Sequence, residues 1–186
     1  MRQKKISSMS SFSNRIVNWY KSNGRHDLPW RKNISPYSIW ISEIMLQQTQ
    51  VKTVVPYFNK FIKKYPNLDA LLKASEDEIL AQWSGLGFYR RAKNIYKACR
   101  VISEDFNNKL PININDLESL PGIGRSTAGA IMSIAFNEGH PILDANVKRV
   151  LGRYKKISFK TENEKQKKLW LISEKLTPNK ESFEYT

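Results

Sequence analysis

The stretch Leu120-Pro121-Gly122-Ile123-Gly124-Arg125-Ser126-Thr127, followed by Ile142-Leu143-Asp144-Ala145-Asn146-Val147-Lys148-Arg149, decides the fold. Upstream of it, Asn115-Asp116-Leu117-Glu118-Ser119-Leu120 carries a capping residue, acids in a first turn and spaced leucines. Downstream, Ala128-Gly129-Ala130-Ile131-Met132-Ser133-Ile134-Ala135-Phe136 continues as an apolar helix. The pattern is therefore helix, tight turn, helix. Two glycines spaced two apart allow positive φ and a close approach by another molecule's backbone, and the free N–H groups that open the second helix favour an anion. A DNA phosphate fits that description; an αα-hairpin whose glycines serve only the turn fits it too.

Composition narrows the choice. A chain of 186 residues with 40% apolar content is long enough for one core or two small ones. A formal charge of +14 attracts polyanions, unless the lysines form only a solvated coat. There is no apolar run long enough for a membrane span, and Met1-Arg2-Gln3-Lys4-Lys5-Ile6-Ser7-Ser8 lacks the apolar stretch of a signal peptide, so the expectation is a cytoplasmic, nucleoid-associated protein. Cys99, the single cysteine, lies in the helical apolar pattern Ile95-Tyr96-Lys97-Ala98-Cys99-Arg100-Val101-Ile102 and reads as a packed thiol; with His26 and His140 it cannot build a metal site. Caps and periodicity predict helices at roughly 10–22, 35–47, 50–64, 67–73, 76–83, 88–105, 113–120, 124–137, 144–153 and 162–176, with no strand. The fold class is all-α.

Two carboxyl groups carry the chemistry. The helix opened by Ser35 and Pro36 holds Tyr37, Ile39, Trp40, Ile41, Ile44, Met45 and Leu46, which leave almost no polar face. Glu43 on such a helix is either desolvated, with a raised pKa suited to a general acid, or a boundary residue whose tip escapes to water. Asp144 reads as the N-cap of the next helix, a carboxylate at a positive helix end beside Lys148 and Arg149. A neutral acid paired with a carboxylate is the set that cleaves a glycosidic bond through an oxocarbenium-like transition state.

Five blocks in order, Asp27-Leu28-Pro29-Trp30-Arg31, Ser42-Glu43-Ile44-Met45-Leu46-Gln47-Gln48-Thr49-Gln50-Val51, Gly85-Leu86-Gly87-Phe88-Tyr89, Leu120 to Ala130 and Ile142 to Val150, closely resemble the MutY-type adenine DNA glycosylases of the helix-hairpin-helix superfamily. The resemblance implies hydrolytic removal of adenine mispaired with 8-oxoguanine or guanine in double-stranded DNA, by flipping the base. It assigns Glu43 to protonation of the adenine ring, Asp144 to stabilising or trapping the sugar cation, and Asn146 to supporting that carboxylate. It places Trp30 and Arg31 in the adenine pocket, Gln48, Thr49, Leu86 and Phe88 at the opened base stack, and Gly122, Gly124 and Arg125 on a phosphate. Gln47 and Gln50 read equally well as a polar helix end. Ser126 stands where the endonuclease III type carries a strand-cleaving lysine, which argues against that pyrimidine-specific alternative. A non-catalytic DNA-binding fragment is the third reading.

This sequence departs from the family in having Phe88 for a tyrosine and Ala145 for a glycine. The resemblance further implies a [4Fe–4S] cluster whose four cysteines, like the 8-oxoguanine-reading domain and the far wall of the adenine pocket, would lie beyond Thr186, so that the chain reads as cut short. The expected architecture is a monomer with a six-helix subdomain at 30–138, including the helix-hairpin-helix, and a second helical subdomain from 1–29 plus 139–186. DNA would lie in the cleft between them.

Overall fold

A computed structural model describes residues 11–156 and 160–186. The reading of Met1 to Ser8 as lacking a leader lies outside the described residues. Twelve helical segments are described: α1 (Ser11–Asn23), α2 (Pro29–Lys32), α3 (Pro36–Leu46), α4 (Val51–Lys64), α5 (Leu68–Leu72), α6 (Glu76–Trp83), α7 (Arg90–Asp105), α8 (Ile114–Ser119), α9 (Arg125–Phe136), α10 (Ala145–Lys155), α11 (Glu162–Leu176) and α12 (Ser182–Tyr185). No strand occurs among the described residues. The single-turn α2 and α12 are additions to the sequence expectation, each too short for a periodic signal.

The helix starts follow local chemistry. Ser35 accepts from the Ser38 N–H in a reciprocal capping box with Pro36 in the first turn, Ser75 does the same with Glu78, and Asn67 and Thr161 cap α5 and α11. α8 is capped by Asn113, which accepts from Asp116 N–H, two residues before the expected Asn115. α7 begins at Arg90 rather than at 88, because Phe88 takes a left-handed conformation with φ +50° that no helix interior permits.

α3 is the centre of the molecule. Ile39, Trp40, Ile41, Ile44 and Met45 are excluded from solvent, and α3 packs against α9, α4 and α2. The main apolar cluster extends through Phe58, Phe61, Trp83, Ile95, Ile102, Leu117 and Ile131, with Trp30 edge-on to Phe58 at 5.2 Å. A second, smaller cluster of Leu143, Leu151, Leu169 and Leu176 ties α10 to α11, with Phe12 of α1 against it. α12 packs on α1 and α9, where Asn137 Oδ1 accepts from the Ser182 hydroxyl at 3.0 Å and Phe183 N–H at 3.2 Å. The chain thereby returns to α9, whose N-terminus lies at the site.

Candidate active site

The site assembles where α3, the turn before α9 and the loop before α10 meet. Glu43 interrupts the buried run of α3, with Ser42 and Ile44 buried on either side of it. Burial pushes its carboxyl up to about 7, Asp144 adds to the rise and Arg31 opposes it. The two carboxyl groups singled out in the sequence are thus electrostatically coupled. Asp144 is exposed and caps α10, its Oδ1 accepting from Val147 N–H at 2.7 Å.

The neighbours of Asp144 hold its loop. Ser126 Oγ accepts from Leu143 N–H at 2.9 Å, which ties the start of α9 to the residue preceding Asp144. Ser173 Oγ donates to Ile142 O at 2.7 Å from the other side. Asn146 accepts from Arg149 at 3.0 Å and Lys148 donates to Gln166 at 2.7 Å, both away from the carboxylate. Arg31 donates to Phe183 O at 3.3 Å and stacks on Phe183 at 4.6 Å and Tyr20 at 5.6 Å, and burial lowers its pKa.

The turn before α9 divides its two glycines. Gly122 has φ +86°, and a Cβ there would meet Asn94 Cβ at 2.8 Å, so this glycine is required by the fold. Gly124, expected to share the positive φ, is extended at φ −99° as the N-cap of α9, and a Cβ there would meet nothing within 4 Å. Its open face adjoins the first-turn N–H groups of α9, for which no side chain acts as cap. Gly122→Ala should therefore lower stability by about 1–3 kcal/mol. Gly124→Asp should leave the thermal midpoint almost unchanged while weakening binding to matched and mispaired duplexes alike, the aspartate facing an incoming phosphate. Melting curves and a duplex titration at moderate salt check the pair; unchanged affinity for Gly124→Asp would return the turn to a purely structural role.

Several expected contacts fall elsewhere. Trp30 and Leu86, expected at the substrate, are core side chains only 3% and 6% exposed. Arg125 turns back from the hairpin, pairing with Glu174 at 2.6 Å and lying 3.9 Å over Trp170. Gln47, left open as a helix end, crosses to the turn, where its side-chain amide donates to Gly122 O at 3.2 Å. Gln48 and Phe88 are exposed and both left-handed, at φ +57° and +50°; Thr49 sits beside Gln48, its N–H bonded to Leu46 O at 3.3 Å. A basic groove of about 760 Å³ runs from Ala145 along α10 to the start of α11, lined by Lys148, Arg149, Arg153, Lys160 and Lys165.

A [4Fe–4S] cluster takes four thiolates and does not fit this chain, whose one cysteine, Cys99, is buried in α7 with its thiol pushed up to about 12. Among the described residues no group of three acids, histidines or cysteines could hold a metal ion, and no helix is long and apolar enough to cross a membrane.

The chain is similar to known proteins in both sequence and fold. The chain is 53% identical over 168 residues to an adenine DNA glycosylase of Buchnera aphidicola subsp. Schizaphis graminum, covering 90% of this chain and 48% of the relative. It spans about half the length of the Buchnera relatives and under a third of the animal and plant adenine DNA glycosylases it matches. A thermostable thymine-DNA glycosylase superposes with TM-score 0.79 and 30% identity, covering 94% of this chain and 81% of that one. An endonuclease III–DNA complex shares the fold, with TM-score 0.75 and 22% identity over 94% of this chain and 78% of that one. Residues 41–175 match the family described as HhH-GPD superfamily base excision DNA repair protein. With that match extending over most of its length, the chain belongs to the HhH-GPD superfamily of base excision DNA repair proteins.

Proposed function

We propose that this chain is the catalytic part of an adenine-specific, monofunctional DNA glycosylase acting on adenine opposite 8-oxoguanine or guanine. The observation that carries the reading is Glu43, held near neutrality on a buried helix and coupled to Asp144. Protonated Glu43 donates to a ring nitrogen of the extruded adenine, and the N-glycosidic bond breaks with its electron pair leaving on the purine. Asp144 stabilises the positive charge that develops on the sugar. Water adds to the sugar carbon, and its proton returns to Glu43. Ser126 offers no amine for a Schiff base, so the strand stays intact. Ser126 and Ser173 fix the loop that carries Asp144, Gln48, Thr49 and Phe88 enter the stack, and the N–H groups around Gly124 bind a phosphate. Asn146, two residues after Asp144 at the start of α10, is assigned to supporting that carboxylate, and Trp30 and Leu86 to the surroundings of the substrate.

The two apolar clusters support a division into subdomains at 30–138 and at 1–29 plus 139–186, with Leu28, Ile142 and Phe183 packing across onto the larger cluster. One protomer acting on one duplex in the cytoplasm completes the proposal.

A single-turnover assay on duplexes carrying A·8-oxoguanine, A·G and G·T, scored for free base and for strand breaks before and after alkali, tests the proposal. Release of adenine with an intact strand supports it. Thymine release from G·T would favour instead the reading suggested by the thymine-DNA glycosylase, and strand cleavage trapped by borohydride an endonuclease III type.

The basic groove continues from Ala145, next to Asp144, and is assigned to the backbone of the same duplex. Arg153→Glu should weaken matched and mispaired duplexes equally, by about tenfold at moderate salt, and reduce the salt slope by about one. An unchanged slope would remove the groove from the DNA path.

A further inference from the structure

Arg91 is a buried guanidinium with an unusual set of partners. Only 6% exposed, it donates through Nη1 to the carbonyls of Ile44 at 3.2 Å, Met45 at 2.5 Å and Gln47 at 2.7 Å, and through Nη2 to Gly87 O at 3.0 Å. No carboxylate pairs with it among the described residues; the last carbonyls of α3, the negative end of that helix, balance its charge.

What these carbonyls precede gives the fork its meaning. Gln47 O is followed by Gln48 and Gly87 O by Phe88, and both residues are exposed and held in left-handed backbone. A non-glycine residue in that region costs on the order of 1 kcal/mol and persists only where its surroundings over-determine it. Arg91 bonds the residue before each of them, its guanidinium carbon lies 5.2 Å from the Phe88 ring, and Trp83 Nε1 reinforces Gly87 O at 3.1 Å. Two turns far apart in sequence are thereby fixed to one rigid plane.

We propose that Arg91 is a positioning residue that sets Gln48 and Phe88 relative to one another, so that both side chains enter an opened base stack as a unit. The inference rests on the base-extrusion reading above. A lysine would keep the charge but lose the fork, since one ammonium cannot align with two turns as a planar guanidinium does.

Arg91→Lys and Arg91→Met test it, with Arg100→Lys as the control. Arg100 lies on the same helix and donates to Leu72 O at 2.6 Å, outside the site. Hydrogen exchange in both Arg91 variants should speed up about tenfold at the bonded amides of residues 47 and 49 and of residues 86 and 91 together, while the interior of α9 stays protected. In a duplex with 2-aminopurine at the adenine position, the fluorescence rise given by the unaltered chain should be largely lost, with affinity for a matched duplex preserved. Arg100→Lys should lower the melting temperature and leave both readouts intact. Loosening of one turn alone, a full fluorescence rise in Arg91→Lys, or the same losses in Arg100→Lys would overturn the proposal. An unaltered chain that gives no rise would overturn the base-extrusion reading instead, and exchange would then decide on Arg91.

Discussion

Glu43→Gln is expected to slow single-turnover adenine release by roughly a thousandfold, within the range spanned by general-acid catalysis, while matched-duplex affinity stays the same. Glutamine keeps the volume and the packing on α3 but has no proton to give. With the Glu43 carboxyl pushed up to about 7, the unaltered rate should be level below that pH and fall about tenfold per unit above it. Arg31 holds the carboxyl down, so Arg31→Met should move the falling limb to higher pH. Stability carries the same signature with a defined sign. The folded chain binds more protons than the unfolded chain between the ordinary value of 4.5 and about 7, so stability decreases as pH rises through that window. Glu43→Gln removes the dependence and should be the more stable protein at pH 8, by up to about 3 kcal/mol. Denaturant titrations at pH 5 and pH 8 measure the difference. A variant that releases adenine at the normal rate, or whose stability follows pH as the unaltered chain's does, would take Glu43 out of the mechanism.

Readings that rest on local rules match the structure. The near-continuous apolar run of α3 predicts a central helix, Ser35-Pro36 its start, and Asp144 the cap of α10, because each depends on a few adjacent residues. Readings that depend on distant chain are the ones that moved. Arg125 follows a glycine turn and invites a phosphate, yet Glu174 and Trp170, more than forty residues on, take its guanidinium. Trp30 and Leu86 sit inside motifs, but in a half-helical, half-loop context only tertiary packing says whether an aromatic or aliphatic side chain lines a pocket or backs it. At Gly124 neither a left-handed φ nor a close neighbour demands a glycine, whereas both do at Gly122, a distinction that sequence does not encode. Arg91 was hidden by the charge of +14, in which one more arginine reads as surface. A signal was present nonetheless: Arg91, Ile95, Ala98 and Ile102 recur at helical spacing on the buried stripe of α7, and a charge on such a stripe has carbonyls or an acid to meet.

Asp144 separates two roles that a single substitution usually confounds. Its Oδ1 caps α10, and its charge is assigned to the sugar cation. Asparagine caps a helix as well as aspartate does, so Asp144→Asn should leave the melting temperature within experimental scatter and cut adenine release by about a hundredfold or more. Asp144→Ala should show the same kinetic loss and also a stability loss of about 1 kcal/mol, the value of an N-cap. If asparagine retained the rate, the carboxylate would be a cap and nothing more. The coupling to Glu43 supplies an independent check that needs no turnover. Asp144 raises the Glu43 pKa, so Asp144→Asn should lower it, opposite to the shift caused by Arg31→Met. Side-chain carbon NMR of Glu43 in the two variants reads those directions in the absence of DNA. Opposite movements would establish that the three groups share one field, the condition under which an acid kept protonated at neutral pH and a carboxylate can act on the two ends of the same bond.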